Sequence, residues 1–368
     1  MLSNLTVWLK LLLAVLLSAA VSFFMTPPVK KFAEKVGAID VPKDGRRVHD
    51  HPIPRMGGLA IFLGFVLAVL AFVDMSTPIM GMLIGAVIIA AMGAVDDIVS
   101  LNAWVKLGIQ ILAALVAIRS GIVFDVISNP LVFSDKAFIP IGYLTVPLTV
   151  LWIVGCTNAV NLIDGLDGLA VGVSAISSLT MLVVALFVSE PNVALILAAL
   201  TGACLGFIPY NLNPAKIFMG DVGSQLLGFI LATVSIMGMF KFHAIITFLV
   251  PVLAMSVPLA DTVFAFFRRI VHGQSPFHAD KGHFHHRLLA MGLSQKQAVA
   301  VLYAISAILG LLAVLLAGTY TAVRIVCLVL VFLISICVWF FVFRKRPGSK
   351  NPNSPACSTP EAGTGEKA

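Results

Sequence analysis

Four polar side chains lie three residues apart in one short stretch, Thr157 to Ala170, between two long apolar runs. They are Asn158, Asn161, Asp164 and Asp167. At this spacing the four side chains stay on roughly one half of a helix. Carboxylates and amides so close to hydrocarbon need water, a partner or a bound cation. Because Gly165 and Gly168 follow the two aspartates, we expect the backbone to turn there and to leave close access for a ligand.

A second pair of acids, Asp96 and Asp97, closes another long apolar run, and Lys106 lies at the start of the next one. Acids at the C-terminal end of a helix oppose its dipole. We therefore expect compensation from a cation or from Lys106. A polar helix end followed by an ordinary solvated loop is the plainer alternative.

Asp221 begins a third apolar run, with Gly220 before it and Ser224 shortly after it. Aspartate is a good N-cap, which would explain its place at a helix start. A helix N-terminus with small residues also suits a phosphate or a metal–phosphate pair. We favour the second interpretation because the other acids are predicted to lie at the same membrane face.

The most polar connection holds five of the eight histidines, His272, His278, His283, His285 and His286. Their spacing lacks two histidines flanking a glutamate on a helix, the pattern of many zinc sites. With Lys281 and Arg287 they form a basic strip, and we favour phosphate binding over Zn²⁺. Arg55, just before Gly57 and Gly58, could hold a phosphate or could snorkel to the membrane surface.

The composition is that of a membrane protein, since 60% of the 368 residues are hydrophobic and 11% are charged, against about 25% charged residues in soluble domains. We predict an all-α integral membrane protein with about eleven transmembrane helices, each near the length that crosses a bilayer. The connection from Ser120 to Pro140 could form a small hairpin. The predicted spans are Leu5–Met25, Met56–Val73, Pro78–Val95, Ala103–Arg119, Tyr143–Ala159, Leu169–Val188, Val193–Tyr210, Val222–Met239, Ala244–Phe264, Ala298–Leu316 and Ala322–Phe343.

The basic residues predict the orientation, with the N-terminus outside and the C-terminus in the cytoplasm. This arrangement places 19 of the 24 Lys and Arg residues inside. It also brings six aspartates from four connections to the inner face, which predicts one active site built from cytoplasmic loops; they are Asp96, Asp97, Asp164, Asp167, Asp221 and Asp261. Residues 1–345 form the predicted membrane domain, and residues 346–368 a disordered cytoplasmic tail.

The net charge of +7 comes mostly from short inner loops, which favours anionic lipid head groups over nucleic acid as a partner. Mg²⁺ typically takes one or two carboxylates together with phosphate oxygens of the substrate. Acids and basic groups at one membrane face therefore indicate a magnesium-dependent phosphoryl transferase that acts on a lipid. An ion-coupled transporter is the alternative of another class, although its acids would be expected near the midplane.

Five motifs occur in the order seen in one enzyme family: IPRMGG, VDDIVSLNAWVK, NAVNLIDGLDGLA, IFMGDVGS and HADKGHFHHRLL. The chain resembles the polyprenyl-phosphate N-acetylhexosamine-1-phosphate transferases, the MraY, WecA and TagO superfamily of glycosyltransferase family 4. The resemblance covers about residues 1–343. Arg55 before Met56 and the sequence His283-Phe284-His285-His286 resemble the WecA and TagO branch, which uses UDP-N-acetylglucosamine.

The resemblance implies attack by undecaprenyl phosphate on the β-phosphate of a UDP-sugar, giving a lipid-diphosphate-sugar and UMP. This reaction would be the first membrane step in the synthesis of a cell-envelope glycan, such as a teichoic acid or O-antigen, and would take place at a bacterial plasma membrane. Asp221 and Asn161 would bind Mg²⁺, for which Mn²⁺ could substitute. The remaining expected roles are catalysis by Asp96, Asp97, Asp164, Asp167 and Lys106, and substrate binding by Asn158, Arg55, His283, His285, His286 and Arg287. Another UDP-N-acetylhexosamine or UDP-N-acetylmuramoyl-pentapeptide remains an alternative donor, and a homodimer is compatible with this assignment.

Overall fold

The computed structural model describes residues 5–42, 51–124, 126–128, 138–140, 142–238, 244–271, 283–317 and 321–343. These residues are almost entirely helical. The helices are α1 Leu5–Val36, α2 Gly58–Phe72, α3 Thr77–Val99, α4 Ala103–Arg119, α5 Thr145–Ile163, α6 Leu169–Val188, α7 Pro191–Asn211, α8 Gly220–Gly238, α9 Ala244–Ala254, α10 Ser256–Val271, α11 Phe284–Ala290, α12 Gln295–Ala317 and α13 Thr321–Phe343. The predicted tail, Lys281 and two of the five loop histidines, His272 and His278, lie outside the described residues.

Seven helical segments in the described part of the chain are long and apolar enough to cross a membrane: 5–36, 77–99, 142–163, 169–188, 191–211, 220–238 and 295–317. Two further apolar helical stretches, 58–72 and 325–336, are shorter. The predicted class, an all-α protein with several membrane helices, is therefore confirmed. The total of about eleven spans and the placement of the termini stay predictions.

The first helix is longer than the predicted span. It continues beyond Met25 through two prolines to Val36. Thr26, Val29 and Ala33 are buried and extend the inward face of the earlier turns. Hydropathy marks the apolar part of this helix, whereas packing decides where the helix ends.

The predicted ninth span is divided at Met255 into α9 and α10. Pro258 has no backbone N–H, so it cannot donate to the carbonyl of Ala254 four residues earlier. That carbonyl instead accepts a 2.6 Å hydrogen bond from Ser177 Oγ on α6. The side chain of another helix thus satisfies the backbone group that the proline leaves free.

Two short antiparallel hairpins connect the helices. In the first, β1 (Ile39–Asp40) pairs with β2 (Ile53–Pro54). In the second, β3 (Val126–Ser128) pairs with β4 (Phe138–Pro140), which confirms the predicted hairpin in this connection.

The start of α8 lies at the centre of the bundle, where helices approach each other through glycines. A Cβ atom on Gly58 of α2 would overlap the backbone of Gly223, and one on Gly93 of α3 would meet the backbone of Val222 at 2.5 Å. From Val222 to Ile236 every residue of α8 is buried. These close approaches fix the position of the α8 N-terminus against α2 and α3.

We therefore expect Gly58→Ala to lower the free energy of unfolding by about 1–3 kcal/mol, the usual cost of overpacking. Gly108→Ala on α4 is the matched control, because its Cβ would meet nothing within 4 Å. Alanine also favours a helix by up to about 1 kcal/mol over glycine. Unfolding of the wild type and both variants in detergent, monitored by circular dichroism, gives the change in the free energy of unfolding for each variant. Equal stabilities would contradict the close contact.

Candidate active site

A polar cavity of about 350 Å³ is lined by residues from β1, α3, α5, α7, α8, α11 and α12 and by the loops beside them. Seven of the predicted site residues line it: Arg55, Asp97, Asn161, Asp164, Asp167, Asp221 and His286. The lining also contains residues that the sequence analysis did not single out, namely Asp40, Leu166, Asn211, Phe218 and Gln295. The structure thus brings residues from distant motifs to one site.

Lys106 neutralises two of the acids. Its Nζ lies 2.8 Å from Asp96 Oδ2 and 3.1 Å from Asp221 Oδ2. The other oxygen of Asp96 accepts a hydrogen bond from the backbone N–H of Leu101 at 2.6 Å. The predicted compensation of the α3 end by Lys106 is confirmed. Lys106 and Asp96 are outside the cavity lining and support Asp221, which lies within it.

Asp97 caps the N-terminus of α8. Its Oδ1 accepts from the backbone N–H of Asp221 at 3.0 Å, and its Oδ2 from that of Val222 at 3.4 Å. Gly220 has φ +73, and a Cβ there would overlap the Asp97 carboxylate. A carboxylate from α3 therefore does what an N-cap aspartate would do, while Asp221 keeps its side chain for other partners.

Asp164 and Asp167 lie in the turn between α5 and α6. Burial, with repulsion from Asp221 and Asp97, raises the pKa of Asp164 to about 8. Asp167 Oδ2 accepts from Asn213 Nδ2 at 2.9 Å and from the backbone N–H of Ala215 at 3.0 Å. The carboxyl group of Asp164 is therefore largely protonated at neutral pH, whereas that of Asp167 is fixed by hydrogen bonds.

The two glycines of this turn contact protein groups. A Cβ on Gly165 would lie 2.5 Å from His285 Nε2. Gly168, at φ +79, precedes α6 and receives a hydrogen bond from Tyr303 Oη to its carbonyl. The predicted turn is confirmed, and the exposed Gly165 lines the cavity beside His285. The expected access is wrong at Gly168, which is buried against Leu212 and Tyr303.

The histidines differ in their surroundings. His283 Nδ1 lies 2.8 Å from Asp261 Oδ2, and Asp261 Oδ1 accepts from the backbone N–H of Phe284 at 2.7 Å. Burial, together with the neighbouring histidines, lowers the pKa of His285 to about 4, so this ring is neutral at physiological pH. His286 lines the cavity and Arg287 is exposed. His285 therefore adds no positive charge to the predicted basic strip at neutral pH, and its contact with a phosphate stays a prediction. His283 holds α11 to α10.

The Arg55 motif runs beside the segment that precedes α8. Pro54 O accepts from the Phe218 N–H at 2.8 Å, and Gly57 N–H donates to Phe218 O at 2.9 Å. Arg55 Nη2 forms a 3.1 Å ion pair with Asp40 Oδ1. The sequence analysis did not single out Asp40. The available signal was that Asp40 and Arg55 lie in the same polar connection between α1 and α2.

The two asparagines of α5 have different neighbours. Asn161 Nδ2 donates to Ser224 Oγ at 2.9 Å and lines the cavity. Asn158 is one turn away from it, and its Nδ2 donates to Gln110 Oε1 at 2.7 Å. The structure places Asn158 between helices.

The oxygen donors fit a hard cation such as Mg²⁺. The carboxylates of Asp97, Asp164 and Asp221 and the amide of Asn161 line the same cavity. Within the described ranges no group of three His, Cys, Asp or Glu residues forms a ready-made metal cage. Mg²⁺ typically uses few protein ligands and completes its shell with water and substrate phosphate, and its binding here stays a prediction.

Comparison with known proteins supports the motif resemblance. The model of glycosyl transferase family 4 matches residues 79–239. A probable undecaprenyl-phosphate N-acetylglucosaminyl 1-phosphate transferase of Bacillus subtilis is 42% identical over 309 residues, which covers 84% of this chain and 85% of the relative. A decaprenyl-phosphate N-acetylglucosaminephosphotransferase of Mycobacterium tuberculosis is 36% identical over 80% of this chain and 79% of its own length. A phospho-N-acetylmuramoyl-pentapeptide-transferase of Staphylococcus aureus is 36% identical over 70% of this chain and 83% of its own length.

The buried contact between Asp261 and His283 predicts a strong coupling. Asp261→Ala should lower the free energy of unfolding by about 3–5 kcal/mol, because it leaves the buried His283 without its partner. The double variant Asp261→Ala/His283→Ala should lose little more than either single variant. Chemical denaturation in detergent measures all three, with the exposed Asp74→Ala expected within about 0.5 kcal/mol of the wild type. Simple addition of the two single losses would show that the pair is not coupled.

Proposed function

The chain belongs to glycosyl transferase family 4, and from that premise we propose that it transfers N-acetylglucosamine 1-phosphate from UDP-N-acetylglucosamine to undecaprenyl phosphate. The products are undecaprenyl-diphosphate-N-acetylglucosamine and UMP. The observation that supports this most directly is the meeting of four aspartates from α3, the α5–α6 turn and α8 on one cavity. Such a cavity suits a diphosphate that arrives with a divalent cation.

The proposed chemistry is a direct displacement at phosphorus. A phosphate oxygen of the lipid forms a bond to the β-phosphorus of the UDP-sugar, and the bond from that phosphorus to the oxygen of the α-phosphate breaks. UMP leaves with that oxygen and its electron pair. The lipid phosphate is already anionic near neutral pH, so no protein base has to activate it and no covalent aspartyl intermediate is needed.

We assign the metal to Asp221 and Asn161. Bound Mg²⁺ would withdraw charge from the transferring phosphoryl group. Lys106 keeps the Asp221 carboxylate ionised through their 3.1 Å ion pair. Asp97, which lines the cavity while it caps α8, would orient the lipid phosphate. Asp96 lies outside the lining and would act through its ion pair with Lys106.

The remaining cavity residues would hold the nucleotide sugar. Asp167 is fixed by Asn213 and the Ala215 N–H, so one face of the site has a rigid acceptor. Arg55 and His286 are the basic side chains of the cavity lining, and they would contact the anionic substrate. We place this site at the cytoplasmic face of a bacterial plasma membrane, where a UDP-sugar and a membrane lipid can meet.

The choice of donor sugar is the second part of the proposal. The relatives from Bacillus and Mycobacterium are named for N-acetylglucosamine, and the relative from Staphylococcus for a muramoyl-pentapeptide. Purified protein with undecaprenyl phosphate and Mg²⁺ should release UMP with UDP-N-acetylglucosamine. Turnover with UDP-N-acetylmuramoyl-pentapeptide instead would keep the chemistry and overturn the choice of donor.

Asp221→Asn should reduce UMP release by at least about 100-fold, because the amide lacks the charge that holds a divalent cation. Asp74→Asn is the matched control, since it removes an exposed carboxylate between α2 and α3. A coupled assay for UMP at several Mg²⁺ concentrations compares the two variants with the wild type. Normal activity of Asp221→Asn would remove this residue from the metal site.

A further inference from the structure

Three amide side chains form a chain of hydrogen bonds behind Asp221. Gln110 lies on α4, Asn158 on α5 and Gln225 on α8. Gln110 and Gln225 are 2% and 1% exposed. Buried amides of this kind are costly unless their hydrogen bonds are made. Their position between helices that carry site residues suggests a role beyond packing.

The carboxylate at the end fixes the direction of the whole chain. An ionised carboxylate only accepts hydrogen bonds, so Gln225 must present its Nε2 to Asp221 Oδ2, at 2.9 Å. Gln225 Oε1 then accepts from Gln110 Nε2 at 2.8 Å. Gln110 Oε1 in turn accepts from Asn158 Nδ2 at 2.7 Å. Gln110 Nε2 also donates to Asn158 Oδ1 at 3.3 Å, so these two amides pair reciprocally. One N–H of each of the three amides therefore points along the series toward Asp221.

The series of hydrogen bonds is also satisfied at its other end, at Asn158. Asn158 Nδ2 donates its second hydrogen to the Val154 carbonyl on the same helix at 2.9 Å. A backbone carbonyl cannot reverse its role, so it fixes the orientation of the Asn158 amide. Aligned hydrogen bonds polarise one another, and each link strengthens the next in a site away from water.

Asp221 Oδ2 thus receives two donors from the protein, Gln225 Nε2 and Lys106 Nζ. Neither Gln225 nor Lys106 lines the cavity, whereas Asp221 does. The two donors hold the carboxylate by one oxygen and set its rotation about the side chain. The other oxygen, Oδ1, is the one we assign to a bound cation.

We infer that Gln225 is a positioning residue that orients the Asp221 carboxylate for a divalent cation, and that Gln110 and Asn158 support it by fixing its amide. This inference rests on the proposed function, because it assigns the metal to Asp221. It gives Asn158 a supporting role between helices in place of the substrate contact expected from its motif.

The test measures Mn²⁺ binding by the full-length protein in detergent. Electron paramagnetic resonance detects the free ion. Gln225→Met keeps the length of the side chain and removes the amide. It should raise the Mn²⁺ dissociation constant by about 10–100-fold, the usual effect of losing a group that orients a metal ligand. The Mg²⁺ concentration for half-maximal UMP release should rise in parallel, with kcat at saturating Mg²⁺ nearly unchanged.

Gln110→Met should weaken Mn²⁺ binding less than Gln225→Met, since it removes a link one step further from the carboxylate. The double variant should bind Mn²⁺ no more weakly than Gln225→Met, because the supporting link has no effect once Gln225 is gone. Gln110→Met also keeps the test valid if Gln225→Met does not fold. If the two losses of Mn²⁺ affinity multiplied in the double variant, the two substitutions would act independently through packing. That result would overturn the proposed coupling through the hydrogen-bonded amides.

Ser235→Ala is the matched control. It removes the 3.0 Å hydrogen bond that Ser235 Oγ accepts from Trp152 Nε1, which joins the same two helices, α5 and α8. Its Mn²⁺ affinity should equal that of the wild type. Unchanged Mn²⁺ binding in Gln225→Met, or an equal loss in Ser235→Ala, would overturn the inference while the proposed function stands. A folded wild-type protein that releases no UMP would instead overturn the proposed function and this inference with it.

Discussion

The site depends on how its acids are neutralised at the first turn of α8. Asp97 accepts the backbone N–H groups of this turn, and Asp221, which belongs to it, faces Lys106. One carboxylate is stabilised by the positive end of a helix dipole and the other by an ammonium group. Acids beside hydrocarbon would otherwise be protonated or excluded. If either compensation were removed, the position of the remaining groups would change with it.

Close packing makes these electrostatics specific. Gly58, Gly93 and Gly223 bring the backbones of α2, α3 and α8 into contact, and Gly220 leaves space for the Asp97 carboxylate. A side chain at any of these positions would push the backbones apart and lengthen the hydrogen bonds between Asp97 and the first turn of α8. The glycines of the IPRMGG and GDVGS motifs therefore have a packing explanation that is independent of any ligand.

Local patterns were sufficient for part of this arrangement. The ion pair of Asp96 and Lys106 could be predicted because the two residues are ten positions apart on either side of one turn. The cap of α8 by Asp97 could not, since the two groups are more than a hundred residues apart. The same applies to His285, which packs against Gly165 from a distant part of the sequence. The turn at Gly165 itself could be predicted. Hydropathy located most of the helices. At the division at Met255 the proline is a local signal, but Ser177, which satisfies the carbonyl left free there, lies on another helix outside any local window.

The hydroxyl group of Ser177 limits the order in which substitutions can accumulate in this part of the sequence. Ser177 satisfies the Ala254 carbonyl that Pro258 leaves without a donor. If another residue replaced Pro258, its own N–H could take over this carbonyl, and the serine would become dispensable. If the serine were lost first, a buried carbonyl would be left unsatisfied at a free-energy penalty of about 1–3 kcal/mol. The accessible mutational path therefore has a preferred order, with the proline replaced before the serine.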